Sequence, residues 1–305
     1  MLPLYTRAVL EERCSSLFPA AFEYIQVYSV DEAIAALQPH GADGRILAGG
    51  QSLIPAMRFR LARPAALVDI NAITSLSYIR EEDGFLCIGA TARDAALEMS
   101  TVAKRYGLLS DCSSVVADPV VRHMGTIVGS LCHNDPSGDW GAAALAARAQ
   151  MIVRGKSGTR TVLIDDFIVD SFTTAVQEGE IALEARFPIP GPRTAGAYLK
   201  LERKVGDFAT AAAAVQITLD ENGVCTEASV AITALGPTPM RVSQAELILK
   251  GQRLTEDVIR AAAEEAPKIA NPNSDTRGST EYKKDMGRVL VARGLRTAVQ
   301  RVGMV

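Results

Sequence analysis

Along the first two thirds of the chain, the apolar positions change period repeatedly. Ala33, Ile34 and Leu37 recur at helical spacing behind Ser29 and Glu32, a capping-box pair, and predict a helix ending near Pro39. Arg45–Gly49 reads as a short buried strand running into a Gly-Gly turn, Ile54–Leu61 as a brief helix and Ala66–Ile70 as a strand. In SYIREEDGFLCIGA the pair Asp83-Gly84 predicts a hairpin. Thr91 is expected to cap the helix ARDAALEM, and residues 115–139, rich in Gly, Asp, Pro and small side chains, are expected to be mostly irregular. Helical spacing returns over Trp140–Gln150, and MIVRG and Thr159–Ile164 supply further strands.

The pattern changes after Phe187–Gly196, which holds three prolines and two glycines and is read as a domain boundary. AYLKLERK, ATAAAAVQITLD and VCTEASVAITAL form long strands, with a turn at Glu221-Asn222-Gly223. Helical patterns follow at 242–250, 255–270 and 280–302. Strands followed by helices make this part an α+β layer arrangement. The alanine run Ala211–Ala214 is poor strand material unless something packs tightly on it, either a ligand or a neighbouring sheet.

Composition then narrows the function classes. The chain has 305 residues, 48% of them hydrophobic, which suits about two domains. Lys+Arg (32) and Asp+Glu (35) nearly cancel to a formal charge of -3, leaving no basic excess to follow a nucleic-acid backbone. No apolar run reaches the ~18 residues of a membrane span, and the N-terminus does not read as a secretory signal. Five scattered cysteines with no CxxC pair read as reduced packing residues of a cytoplasmic protein. His123, His133, Cys132 and Asp135 match no metal-ligand spacing, so no metal site is expected.

Two small-residue loops carry the candidate chemistry. Ala48-Gly49-Gly50-Gln51-Ser52 lies between a strand and a helix, where glycines let backbone N–H groups approach a diphosphate and Ser52 adds a hydroxyl. It is neither a GxGxxG turn nor a P-loop, since no Lys follows. Gly125-Thr126-Ile127-Val128-Gly129-Ser130 repeats the theme farther along. Together they could clamp one extended diphosphate ligand from both sides. No general base stands between them, and no catalytic residue is assigned.

Residues 48–70, AGGQSLIPAMRFRLARPAALVDI, resemble the AGGxSL signature of PCMH-type flavoproteins in the molybdenum hydroxylase (xanthine dehydrogenase) family. DPVVRHMGTIVGSLCHNDPSGDW resembles that family's second signature, usually TIGGN followed by a DPxxD element. KLERKVGDFATAAAAV and SDTRGSTEY extend the similarity over roughly residues 21–300, and the former resembles most the medium subunits of aerobic carbon monoxide dehydrogenases. The resemblance implies a PCMH-type FAD fold of two α/β subdomains over 21–190, a β-sheet-and-helices domain over 196–305, and an N-terminal extension over 1–20. It implies FAD held by Ala48, Gly49, Gly50, Gln51, Ser52 and Leu53 in the first loop and by Thr126, Ile127, Gly129 and Ser130 in the second. Asp139, Leu183, Lys200 and Phe208 are implied to lie at the cofactor, Leu183 through its backbone and Phe208 where that branch has a Tyr. Val128 and Ser130 depart from the usual Gly and Asn, and Gln51 stands where His is frequent.

The same resemblance implies partners. A large subunit would hold the molybdenum cofactor and a small one two [2Fe-2S] clusters, in a dimer of heterotrimers. This subunit would pass electrons to a quinone or another acceptor, in the cytoplasm or through the complex at the inner membrane face. A hydroxylase for an N-heterocycle, purine or aldehyde, a stand-alone flavin oxidase, and an assembly subunit without FAD stay open as alternatives.

Overall fold

The computed structural model describes residues 18–303, so most of the expected N-terminal extension lies outside the described residues. The chain first builds a three-stranded parallel sheet, β1 (Glu23–Gln26), β2 (Gly44–Leu47) and β3 (Ala66–Asp69), in the order β1-β3-β2. Every residue of the central strand β3 is buried, as parallel sheets covered on both faces require. Helix α1 (Val30–Leu37) starts as the sequence predicts: Ser29 Oγ accepts from Glu32 N at 3.1 Å while Glu32 Oε2 accepts from Tyr28 N at 2.8 Å. Helix α2 (Leu53–Arg58) is shorter than expected, because Arg60 turns left-handed at φ 57°.

A five-stranded antiparallel sheet follows, ordered β4-β5-β10-β6-β7, from β4 (Ile79–Glu82), β5 (Phe85–Gly89), β6 (Gln150–Gly155), β7 (Gly158–Leu163) and β10 (Ile181–Pro188). The β4–β5 turn has Asp83 and Gly84 at φ 50° and 81°, the backbone that an Asp-Gly pair accepts most readily. A small ribbon of β8 (Ile168–Asp170) and β9 (Thr173–Thr174) leads into β10.

Between β5 and β6 the structure departs from expectation. Residues 115–139 are not mostly irregular, since they contain α5 (Pro119–Met124) and α6 (Ile127–His133), preceded by α3 (Asp94–Met99) and α4 (Gly107–Val115). Such short helices show too few apolar repeats for a 3.6 period to emerge, so their signal lies in the caps. Asp118 Oδ1 accepts from Val121 N at 2.9 Å, Thr126 Oγ1 accepts from Gly129 N at 3.2 Å, and Asn134 closes α6 left-handed at φ 49°. Thr91 does not cap α3 either. Arg93 occupies the N-cap without a side-chain bond, Asp94 N donates to Gly125 O at 3.0 Å, and the buried Thr91 Oγ1 has no hydrogen-bond partner among the described residues.

Helices α7 (Asp139–Ala146) and α8 (Ile164–Phe167) complete the first part. The second part is an antiparallel sheet of β11 (Thr194–Glu202), β12 (Ala209–Leu219), β13 (Cys225–Thr233) and β14 (Met240–Arg241). Helices α9 (Ser243–Leu249), α10 (Glu256–Ala263), α11 (Ala266–Ile269) and α12 (Thr280–Val302) follow it. The alanine run packs against helices, not against a sheet. Ala212 and Ala214 join the first core, where α7 meets β12, and Ala211 and Ala213 join a second core under α12. Small side chains let helices approach both faces of one strand.

The two parts are tied at their seam. Arg241 donates to Asp165 Oδ1 (2.7 Å), Leu145 O (2.8 Å) and Glu246 Oε1 (3.0 Å). Arg301 donates to Asp111 Oδ2 at 2.6 Å, which also accepts from Tyr198 N. Among the described residues, no helix is long and apolar enough to cross a membrane.

Candidate cofactor-binding site

The parallel strand β2 ends at Leu47 and delivers Ala48–Ser52 to the carboxyl edge of the sheet, where ligand loops of α/β folds gather. Gly50 is left-handed at φ 72°, and a Cβ there would fall 2.7 Å from Ile54 Cδ1. Ile54 N donates to Gly50 O at 3.0 Å, folding the loop into α2. Ser52 stands at the head of α2 without capping it, so its hydroxyl is not consumed by the helix. Gln51 is exposed and Leu53 half-buried.

Gly49 decides the geometry. A Cβ on it would lie 2.4 Å from Met124 O and 2.9 Å from Gly125 Cα, so the backbones of the two loops meet here. In the second loop Thr126 is buried, and a Cβ on Gly129 would lie 2.6 Å from Thr126 Oγ1. Gly129 and Ser130 remain half-buried, whereas Ile127 and Val128 point into the first core. The bulk of Val128, at a position where the resemblance has glycine, is therefore absorbed by packing.

Three polar residues that the sequence reading missed support these loops. Asn71, just past β3, donates through Nδ2 to Ala48 O at 2.8 Å. Arg93 donates to Asn71 Oδ1 and to Met124 O, both at 2.6 Å. Asp94 is buried, accepts from Trp140 Nε1 at 2.9 Å, and has Oδ2 2.5 Å from where a Gly125 Cβ would sit. Burial pushes the Asp94 carboxyl up to about 6, against the opposing pull of Trp140, Arg122 and Arg93. A polar residue beyond the carboxyl end of a parallel strand was the signal for Asn71. Arg93 and Asp94 carry no periodic signal of their own.

The remaining predicted residues form other groupings. Asp139 and Lys200 come together at 2.9 Å, with Tyr198 OH donating to the other carboxylate oxygen at 2.7 Å. Lys200 Nζ also donates to Val115 O at 3.0 Å and lies 3.5 Å from Glu202 Oε2. Burial raises the Asp139 carboxyl and the adjoining Lys200 ammonium opposes it. This pair is bonded within its own cluster rather than to either glycine loop. Leu183 is the extra residue of a bulge in the β10–β6 pairing, and its carbonyl accepts from Ala90 N at 2.8 Å. Phe208 is 49% exposed, beside Asp207, which Arg277 holds at 2.8 Å. Burial pushes the Cys132 thiol up to about 12, which keeps it protonated and unreactive. A cleft of about 320 Å³ near Tyr106 and Arg301 lies away from both loops, and its Arg301 and Arg105 are already paired with Asp111 and Glu81.

Comparison with known proteins decides the family. Residues 20–190 match the FAD binding domain in molybdopterin dehydrogenase, and residues 196–298 match the CO dehydrogenase flavoprotein C-terminal domain. This chain belongs to the molybdopterin dehydrogenase FAD-binding family. It is 38% identical over 286 residues to the carbon monoxide dehydrogenase medium chain of Hydrogenophaga pseudoflava, covering 93% of this chain and 99% of that one. It is 35% identical over 284 residues to the 6-hydroxypseudooxynicotine dehydrogenase complex subunit alpha of Paenarthrobacter nicotinovorans, covering 93% and 96%. The solved carbon monoxide dehydrogenase of H. pseudoflava matches with a TM-score of 0.90 at 39% identity, covering 93% of this chain and 99% of that one. The α+β PCMH-type fold, the FAD cofactor and the oxidoreductase class accord with this membership. The residue types present fit FAD: Gly49, Gly50 and Gly129 keep side chains off two closely approaching main chains, and Ser52 adds a hydroxyl that α2 does not use as a cap.

Proposed function

We propose that this chain is the FAD-containing electron-transfer subunit of a molybdenum hydroxylase of the carbon monoxide dehydrogenase type. The reading is supported by the backbone contact of Gly49 with Met124 and Gly125, in a chain 38% identical over 286 residues to a carbon monoxide dehydrogenase medium chain. The division runs at residues 190–196, with FAD in the crevice between the two parts. Ala48–Leu53, with Thr126, Ile127, Gly129 and Ser130, hold the diphosphate, the first loop through closely spaced amides and the Ser52 hydroxyl, the second through the Ser130 hydroxyl and the close approach of its backbone. Asp139, Leu183, Lys200 and Phe208 surround the flavin end.

Bound FAD supplies a carrier that can take electrons singly and deliver them in pairs. The chain's own residues bind and orient it. Tyr198 and Val115 hold the Asp139 and Lys200 side chains in one arrangement, so the cluster is set before any ligand arrives. The partners are a large subunit with the molybdenum cofactor and a small subunit with two [2Fe-2S] clusters, assembled as a dimer of heterotrimers. The acceptor is a quinone or another oxidant, and the complex works in the cytoplasm or against the inner face of the membrane.

The purified chain is expected to bind one FAD, measured by flavin absorbance, and Gly50→Val to abolish binding; undiminished binding by that variant would sink the site assignment. The 35% identity to a hydroxypseudooxynicotine dehydrogenase subunit favours a second reading, the same role in a hydroxylase for an N-heterocycle, purine or aldehyde. Dye reduction by the whole complex with carbon monoxide, against purines and aldehydes, separates the two.

A further inference from the structure

We propose that Asn71 and Arg93 form a hydrogen-bonded strut that sets the spacing of the two glycine loops, and that both are positioning residues for the FAD diphosphate. The inference rests on the assignment of those loops to the cofactor.

The geometry is a continuous chain of donors and acceptors running behind the loops. Asp69 Oδ1 at the end of β3 accepts from Asn71 N at 2.9 Å and Nδ2 at 2.6 Å, while Tyr24 OH donates to Asp69 Oδ2 at 2.5 Å. The Asn71 amide is thereby fixed with its nitrogen toward Ala48 O (2.8 Å) and its oxygen toward Arg93 (2.6 Å). The other arm of the Arg93 guanidinium reaches Met124 O at 2.6 Å, the carbonyl nearest Gly49. Arg93 also pairs with Thr126 in an isolated antiparallel bridge. Only a planar fork serves two acceptors at a fixed separation, which a single ammonium reproduces imperfectly. A diphosphate held from two sides needs both sets of amides at one spacing, because a looser site loses affinity in ordering the loops.

FAD affinity of the full chain, measured by quenching of flavin fluorescence, tests this alongside the thermal midpoint of the chain freed of flavin. Asn71→Ala and Arg93→Ala are each expected to weaken FAD binding ~10-fold or more. The flavin-free midpoint should stay within a few degrees of native, and Arg93→Lys should recover part of the affinity. The double variant should be little worse than either single one, since both changes break the same strut. Asn71→Asp, which sets a carboxylate oxygen against Ala48 O, should weaken binding at least as much as Asn71→Ala. Native affinity in the Ala variants overturns the proposal. So does a loss that follows the thermal midpoint downward with no rescue by Arg93→Lys, because that describes a purely structural role. If Gly50→Val also keeps native affinity, the loop assignment itself falls; if Gly50→Val fails to bind and the strut variants bind normally, only the strut falls.

Discussion

The two glycine loops meet through their backbones yet are built by different means. The first, Ala48–Leu53, is shaped by glycine itself: Gly50 takes a left-handed turn and Gly49 leaves no side chain between two main chains. The second, Thr126–Ser130, is shaped by polar anchoring. Thr126 caps α6, Asp94 takes up the space beside Gly125, and Val128 fastens the helix to the core. Both loops leave out a Cβ at close contacts, at Gly49 and Gly50 in the first and Gly129 in the second, but the second is held in addition by its own cap and by core packing. Substitutions therefore act differently on each: enlargement should ruin the first, and loss of a polar anchor should loosen the second by degrees.

The largest effect is expected at Gly49. Gly49→Val drives a side chain into Met124 O, 2.4 Å from the new Cβ, and should cost about 4 kcal/mol of stability together with nearly all FAD binding. Urea unfolding and flavin absorbance per chain measure both, and a stable, yellow Gly49→Val protein would erase the contrast between the loops. Next comes the charge behind the second loop. The Asp94 carboxyl is raised from 3.8 to about 6 by burial, so the folded state holds its proton more tightly than the unfolded chain. Its contribution to stability is fully present below about pH 4 and is lost as pH rises through 6, a difference of about 3 kcal/mol. Asp94→Asn keeps an acceptor for Trp140 and should flatten that part of the stability–pH profile; an unchanged profile from pH 4 to 7 refutes the role given to this carboxyl. The smallest effect belongs to the cap. Thr126→Ala should cost about 1 kcal/mol and weaken FAD binding only a few-fold, while Thr126→Ser stays close to native. Equal loss in the two variants would show that the methyl packing, rather than the cap, holds α6.

Legibility followed the same divide. The first loop was readable because a short apolar strand, a glycine pair and a helix follow one another within about a dozen residues, as turn chemistry demands. The setting of the second loop was misread as irregular, because helices of six and seven residues are too short to show an apolar period, although Asp118 and Thr126 mark their starts. Thr91 was misassigned as a cap because the donor to be satisfied, Asp94 N, bonds to Gly125 O, 31 positions away in the chain. A contact of that kind leaves no trace in a local pattern.

By itself, the sequence determined the alternation of strands and helices, the long β-meander and final helices of the second part, and the residue types that suit a flavin diphosphate. All of these rest on local quantities: periodicity, turn propensity and side-chain chemistry at short spacing. The tertiary structure alone decided that Gly49 abuts Met124, that Asn71 and Arg93 join the two loops, that Val128 is a core residue and that Asp139 finds Lys200. Each of these contacts brings together residues from separate elements, and the free energy of such a contact is set by burial and geometry that exist only once the sheets have packed.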